Sequence, residues 1–453
     1  MRTAALVRGI PARWASRASL DAVATQGVGN ASLNAATLVL NFGLTLLLSR
    51  LLGTHGFGEY SFAIAFSTLL AVPAMLGLTP LLIREVASYR VQSRWPEIRG
   101  LLRRANEVVV VSSLLLAAAG AGVCWLLGWP DGRFFHPALL ALALVPLVGI
   151  TSVRQGAMQG FGRIVVGRSP EAGVSPALTI LFCGSLALAA GARFSASWAV
   201  AANVAATALA AIFGMELLRR TIPHGVRESR AAFDTARWSR AAVPFVLFSV
   251  VQTVNTQIPT VLLGALNGPH AAGIYAVVTR ISNLLPFLLV AAIPALMPAI
   301  VELHARNDRP ELQRVTTRAA RSIFFASLPL ALVAILFAEP VLRIFGGGFG
   351  SGETALRILA LGQLINVGTG FAGTVLLMVG EAGWVTIGAT IGAVTTVVLG
   401  TTLIPGLGAE GAAVASAAST AVSNVLLAAV LWRRWRIYSP AVSLPRLDVS
   451  AAA

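Results

Sequence analysis

Apolar runs bounded by clusters of arginine, glycine or proline recur twelve times along the chain. They cover residues 29–52, 61–83, 107–127, 137–153, 172–191 and 197–218 in the first half. The second half has 242–266, 274–298, 323–338, 354–379, 384–403 and 411–431. A helix crossing the hydrocarbon core needs about 20 apolar residues, so each run is read as one span. Glycine, alanine and proline are frequent within the runs, as expected where helices pack closely in lipid. The pattern predicts an all-α polytopic membrane protein of about twelve helices.

Composition agrees: 56% of the 453 residues are hydrophobic and 11% are charged. A soluble domain carries about 25% charged residues to cover its surface, so a water-soluble enzyme or nucleic-acid-binding domain is excluded. The formal net charge of +16 would suggest nucleic acid in a soluble protein. Its placement gives another reading. Every basic residue is arginine, and 28 of the 34 lie in the two tails or in alternate connections, at 84–104, 154–168, 219–240 and 306–321. Arg133, Arg193, Arg343 and Arg357 fall on the opposite side, and Arg50 and Arg280 lie within runs. By the positive-inside rule this places both termini in the cytoplasm, with an even number of spans. No nucleic-acid partner is needed to explain the charge. Without lysine, phosphate-loop and Schiff-base chemistry are excluded. Cys124 and Cys183 sit in apolar runs without metal-ligand spacing, so no metal or cofactor is expected. The basic, mixed N-terminus lacks the apolar core of a secretory signal and reads as a cytoplasmic tail.

The chain also repeats itself. Residues 53–60 read GTHGFGEY and 268–275 read GPHAAGIY, so Gly53, His55, Gly58 and Tyr60 return 215 residues later. The pair Arg219–Arg220 returns as Arg433–Arg434, an offset of 214. Nearly equal offsets at both ends predict two parallel six-span halves around a central cavity. The resulting organisation is an N-terminal tail (1–26), a first half (27–220), a linker (221–240), a second half (241–436) and a C-terminal tail (437–453).

The stretches LLSRLLGTHGFGEYSFAIAF and LGLTPLLIREVASYR resemble the opening of bacterial polysaccharide-biosynthesis flippases. These are O-antigen-type oligosaccharide flippases of the multidrug, oligosaccharidyl-lipid and polysaccharide exporter superfamily. The segment from Gly268 through Asp308 is similar to their seventh-to-eighth span region, and LRIFGGGFGSGETALRILALGQLIN resembles the start of their tenth span. The resemblance covers about residues 27 to 436. It implies transport of a polyprenyl-diphosphate-linked oligosaccharide from the inner to the outer leaflet of the bacterial cytoplasmic membrane. The transporter would work by alternating access, with the lipid bilayer and glycan-assembly proteins as partners. Relatives that flip the peptidoglycan precursor commonly have fourteen spans, two more than this chain can hold.

Such cargo calls for buried positive charge and wet amide groups. A cation inside a membrane is costly unless it faces a cavity or a partner. Arg280, about two turns into span eight, is the leading head-group candidate; a structural ion pair, a hydrogen bond to a facing helix or snorkelling to the surface are its alternatives. Arg50 is also read as an interfacial anchor, and Arg84 and Arg154 as topology signals that could greet substrate at the inner mouth. Asn30, Asn34 and Asn41 share one face of span one, and Gln252, Asn255 and Thr256 form a stripe in span seven. With Asn283, Gln363, Asn366 and Asn424, these amides either line the cavity or bond one helix to another. Pro73, Pro244, Pro259 and Pro286 are hinge candidates. Glu59, Glu107, Glu171 and Glu216 are read at span ends, and no run carries a carboxylate near its middle. That favours an anionic cargo over the competing reading, a cation-coupled drug or metabolite antiporter. A membrane glycan polymerase or ligase would need a catalytic outer loop, and the outer loops here are short.

Overall fold

A computed structural model of the chain describes residues 17–126 and 135–437. Residues 1–16 and 438–453 of the two tails, and Arg133, lie outside the described residues. Within them the chain is helical throughout. The first part comprises α1 (Arg17–Ala74), α2 (Leu78–Val91), α3 (Trp95–Leu126), α4 (Phe135–Ala141) and α5 (Leu144–Gly160). It continues with α6 (Ile164–Ser169), α7 (Ser175–Ala190), α8 (Ala196–Thr221) and the short linker helix α9 (His224–Glu228). The second part comprises α10 (Thr235–Ser282), α11 (Phe287–Ala305), α12 (Arg309–Leu336) and α13 (Ala338–Arg343). It closes with α14 (Glu353–Thr369), α15 (Ala372–Met378), α16 (Ala382–Leu407) and α17 (Ala409–Trp435).

Among the described residues, nine helices are long and apolar enough to cross a membrane, or ten if the bent pair Gly347–Thr369 and Ala372–Met378 is one span. The apolar pattern predicts twelve. The difference has a local cause: α1 and α10 each carry two predicted runs, divided at one glycine. Gly53 (φ 64°, ψ −173°) breaks α1 and Gly268 (φ 84°, ψ −180°) breaks α10. A positive φ with extended ψ is open to glycine and strained for any other residue.

These two breaks pack on each other. A Cβ at Gly58 would overlap the Pro269 carbonyl, and one at Gly273 would overlap the Thr54 carbonyl. The contacts map onto each other under the 215-residue offset seen in the sequence. Thr54 Oγ1 and His270 Nδ1, 2.9 Å apart, add a hydrogen bond across the same crossing. The glycine-rich stretch of residues 346–352 packs beside it. Phe349 meets Phe57 edge-on at 6.2 Å, and Arg50 Nε donates to the Ile344 carbonyl at 2.9 Å. The glycines therefore serve a close-packed turn.

Two further interruptions show how the bundle handles freed backbone groups. The chain breaks at Met75–Gly77, just after Pro73, and again at Asn283–Pro286. A carbonyl freed in lipid must find another partner. Ser112 Oγ donates to the Ala74 carbonyl at 2.6 Å, and Ser327 Oγ donates to the Leu285 carbonyl at 3.3 Å. The two serines are again 215 residues apart. Pro73 and Pro286 thus stand at observed breaks, while Pro244 and Pro259 lie inside α10.

Close helix contact rests on small residues, as expected where lipid removes the hydrophobic drive between helices. Ala202, Ala206, Ala210 and Gly214 recur every fourth residue on the buried face of α8. Large apolar side chains such as Leu126, Leu188 and Ile212 point outward and are exposed, the arrangement a lipid-facing surface requires.

The arginines gather at the end of the bundle away from the two glycine breaks. There α2 meets the start of α10: Glu85, buried, pairs with Arg84 at 2.9 Å and Arg237 at 3.4 Å. Trp238 Nε1 donates to Tyr89 Oη at 3.1 Å, and the Arg84 guanidinium lies over Phe245. Of the carboxylates read at span ends, Glu171 lies further inside a helical stretch than that reading gives it. Glu85 lies within α2, and Glu171 lies in a π-turn (Pro170–Val174) that joins α6 to α7 in one continuous apolar stretch.

Candidate functional site

A cavity of about 600 Å³ lies between the arms of α1 and α10 and is closed on one side by α14, α16 and α17. Both arms of α1 reach it, with Asn41 and Thr45 before the Gly53 break and Tyr60, Ser61 and Thr68 after it. Both arms of α10 do the same, through Gln252, Asn255 and Thr256, then Tyr275, Thr279 and Arg280. The glycine breaks therefore bring sequence-distant polar residues onto one wall. No aspartate or glutamate lines the cavity, and Arg280 is its one charged lining residue among those described.

Arg280 is exposed into this space, and among the described residues it makes no ion pair. An unpaired guanidinium in the last turn of α10 is tolerated where it faces a cavity lined with amides and hydroxyls. It presents a planar fork of donors suited to a phosphate. Asn283 stands one turn further on, at the C-terminal cap of α10.

The remaining candidates divide sharply. Asn41, Gln252, Asn255, Asn283, Gln363 and Asn424 line the cavity, whereas Asn34 and Asn366 do not. Asn366 works behind the wall: its Nδ2 donates to Gln363 Oε1 at 2.9 Å, and its Oδ1 accepts from Asn424 Nδ2 at 2.8 Å. Asn30 accepts from Arg168 at 2.5 Å, away from the cavity. Arg50, Arg84 and Arg154 are not in the wall. Arg50 is spent on the Ile344 carbonyl and Arg84 on Glu85. Arg154 is fully buried against Glu171. Each of the three is engaged by another group of the protein in this structure.

Tyr60 and Tyr275 also line the cavity. They belong to the repeated motif, which reads as a turn, yet both rings face the cavity. Asn203 Nδ2 donates to Tyr60 Oη at 3.0 Å, and Tyr275 Oη shares a hydrogen bond with Ser416 Oγ at 2.7 Å. Their return at the 215-residue offset was the available signal. Serines and threonines of α17, such as Ser416, Ser419 and Thr420, carried none, because hydroxyls occur throughout membrane helices.

Asn255 is both lining and clasp. Its Nδ2 donates to the Ala389 carbonyl at 3.0 Å, and its Oδ1 accepts from Thr396 and Ser419, each at 3.2 Å. Asn41 donates only to Thr37 one turn back. Asn255→Ala is expected to remove three interhelical bonds and destabilise by about 2 kcal/mol. Asn41→Ala is expected to leave the thermal unfolding midpoint nearly unchanged. Equal midpoints for both variants would refute the clasp.

With this geometry in place, sequence comparison becomes decisive: the model of a family described as polysaccharide biosynthesis protein matches residues 28–304. The chain belongs to that family. A second family model, MatE, matches residues 244–402. Among curated proteins, the chain is 27% identical over 60% of its length to a probable lipid II flippase MurJ of Rhizobium meliloti, covering 52% of that relative. It is 20% identical over 85% of its length to a probable low-salt glycan biosynthesis flippase of Haloferax volcanii, covering 78% of it. Against most curated relatives that it matches, the chain spans about half their length or less. A solved inward-facing multidrug resistance MATE family transporter of the MOP superfamily shares the fold, with TM-score 0.73 and 16% identity. That alignment covers 91% of this chain and 98% of the other. The member of that family described here shares the fold of a solved transporter, and at least nine of its described helices are long and apolar enough to cross a membrane.

Proposed function

We propose that the protein flips a polyprenyl-diphosphate-linked oligosaccharide from the inner to the outer leaflet of the bacterial cytoplasmic membrane, for cell-surface polysaccharide biosynthesis. The observation that carries this reading is the single unpaired guanidinium of Arg280 in a cavity whose described lining has no carboxylate. An anionic diphosphate would meet Arg280, while the sugar hydroxyls would meet the amides and hydroxyls of Asn41, Gln252, Gln363 and Ser419. A cavity of about 600 Å³ is within the range of ligand sites. It is large enough for the diphosphate and its first sugars, with the polyprenyl tail left in lipid.

In this reading both termini are cytoplasmic, and the arginine-rich end of the bundle faces inward. Residues 27–220 and 241–436 form two six-span halves that rock about the glycine crossing, with 221–240 as their linker. The symmetric contacts at the breaks and the paired serines support that division.

The MatE match keeps a cation-coupled drug or metabolite antiporter as the competing reading. Such a transporter needs a carboxylate facing its cargo path, and the buried Glu85 and the half-buried Glu171 are instead neutralised by arginines. The deciding experiment deletes the gene and measures lipid-linked glycan in each leaflet. Accumulation in the inner leaflet is expected. Normal leaflet distribution with unpolymerised glycan outside would favour a polymerase, and an unaltered glycan profile with lost drug efflux would favour the antiporter.

A further inference from the structure

A second cavity, of about 390 Å³, lies away from the transport cavity, between α3, α5, α8 and the linker helix α9. Five arginines line it: Arg99, Arg103, Arg154, Arg219 and Arg227. No carboxylate is among the lining residues. The rest of the wall is largely apolar, with Leu102, Val153, Met215, Leu218 and Ile222. The transport mechanism uses none of these side chains.

The site is built rather than incidental. Arg154 is 2% exposed, an unusual state for a guanidinium, and its Nε has no hydrogen-bond partner. The Glu171 carboxylate takes its Nη2. The α8 small-residue stripe ends where this arginine packs: a Cβ at Gly214 would come within 2.6 Å of its Cζ. Around the mouth, Arg99 Nη1 donates to the Arg227 and Ser229 carbonyls at 2.6 and 2.5 Å and so docks the linker on α3. Carboxylates outside the lining pair with two of the five arginines, Arg154 with Glu171 and Arg103 with Glu107, and leave the rest of the charge unbalanced. Glu107 stands outside the lining and is shared between Arg103 and Arg104.

We propose that this cavity binds the phosphate of an anionic phospholipid and thereby fastens the 222–234 linker segment to the first half of the bundle. Two features select a lipid over a free anion. The cavity opens at the arginine-rich end of membrane-spanning helices, where anionic head groups concentrate and basic pockets between helices hold them. Its lining combines guanidinium groups with apolar side chains, which matches a phosphate joined to a glycerol ester. Inorganic phosphate would use the guanidinium groups and leave the apolar side chains to water. Guanidinium forks at the rim can each grip two phosphate oxygens.

The test uses the full chain purified in detergent, with phosphatidylglycerol, phosphatidylcholine or inorganic phosphate added. Bound lipid is counted by native mass spectrometry, and the unfolding midpoint is followed in parallel. Phosphatidylglycerol is expected to remain bound and raise the midpoint, and the other two probes to do neither. R103Q/R219Q removes two exposed guanidinium groups that bond no buried carboxylate, and is expected to weaken phosphatidylglycerol about 10- to 30-fold. Asn106→Asp, which puts a carboxylate into the same lining without removing any arginine, is expected to weaken it as well. An equal response to phosphatidylcholine would overturn the proposal in favour of unselective lipid contact. An equal response to inorganic phosphate would overturn it in favour of a free-anion site. Undiminished binding in both variants would also overturn it.

Discussion

Arg280→Gln is expected to lower the flipping rate about 10- to 100-fold while leaving insertion and the unfolding midpoint close to those of the parent protein. The size follows from losing one charge-assisted contact, worth about 1.5–3 kcal/mol, to a diphosphate. The selectivity follows from the surroundings of Arg280. Removing one member of a buried ion pair strands its partner and destabilises strongly. Arg280 has no such partner among the described residues, so nothing is stranded. Arg154→Gln should behave oppositely, because it leaves the half-buried Glu171 without its cation and so harms folding before transport. Arg280→Lys keeps the charge but loses the planar fork, and should fall between parent and glutamine variant. The check is a leaflet-resolved assay in vesicles containing equal amounts of each variant. Parental flipping by Arg280→Gln would remove this residue from the head-group site.

Gly58→Ala and Gly273→Ala are each expected to destabilise the protein by about 3 kcal/mol. At both positions the added carbon meets a backbone carbonyl of the facing arm, Pro269 or Thr54, and a carbonyl cannot swing aside as a side chain can. The arms must separate for either substitution. Once one has forced them apart, the second meets less resistance, so the double variant should fall short of the sum. Gly122→Ala in α3 is the control, since its Cβ would enter open space. It should leave stability unchanged or raise it by up to about 1 kcal/mol. Unfolding midpoints of the four variants in detergent decide the matter. Parental stability in Gly58→Ala and Gly273→Ala would mean that the crossing is not close-packed in the folded protein.

Particular residues show why some of the site was legible and some was not. Arg280 could be found because a cation in an apolar run is rare, and rarity survives any packing arrangement. The amides of Asn41, Gln252 and Asn255 were legible for the same reason. Asn34 and Asn366 obey the same rule but face elsewhere, because a one-dimensional pattern fixes a helix face and not what that face meets. Arg50, Arg84 and Arg154 carried the signal of Arg280 in weaker form, and each found a carbonyl or carboxylate nearby. The partners lie up to 294 residues away in the chain, beyond the reach of any local pattern.

The sequence by itself determined that this is a helical membrane protein, because the apolar fraction and run length admit no other solvent for it. It also determined the internal repeat, because identical backbone demands at the two turns kept the same glycines at one spacing. Only the tertiary structure decided that those turns are glycine breaks within long helices and that they pack against each other. It likewise decided which polar residues share a cavity and which arginines are neutralised. The physical reason is one of range: hydropathy and φ preference are properties of a residue and its near neighbours. Pairing, burial and the emptiness around Arg280 depend on helices brought together from the whole chain.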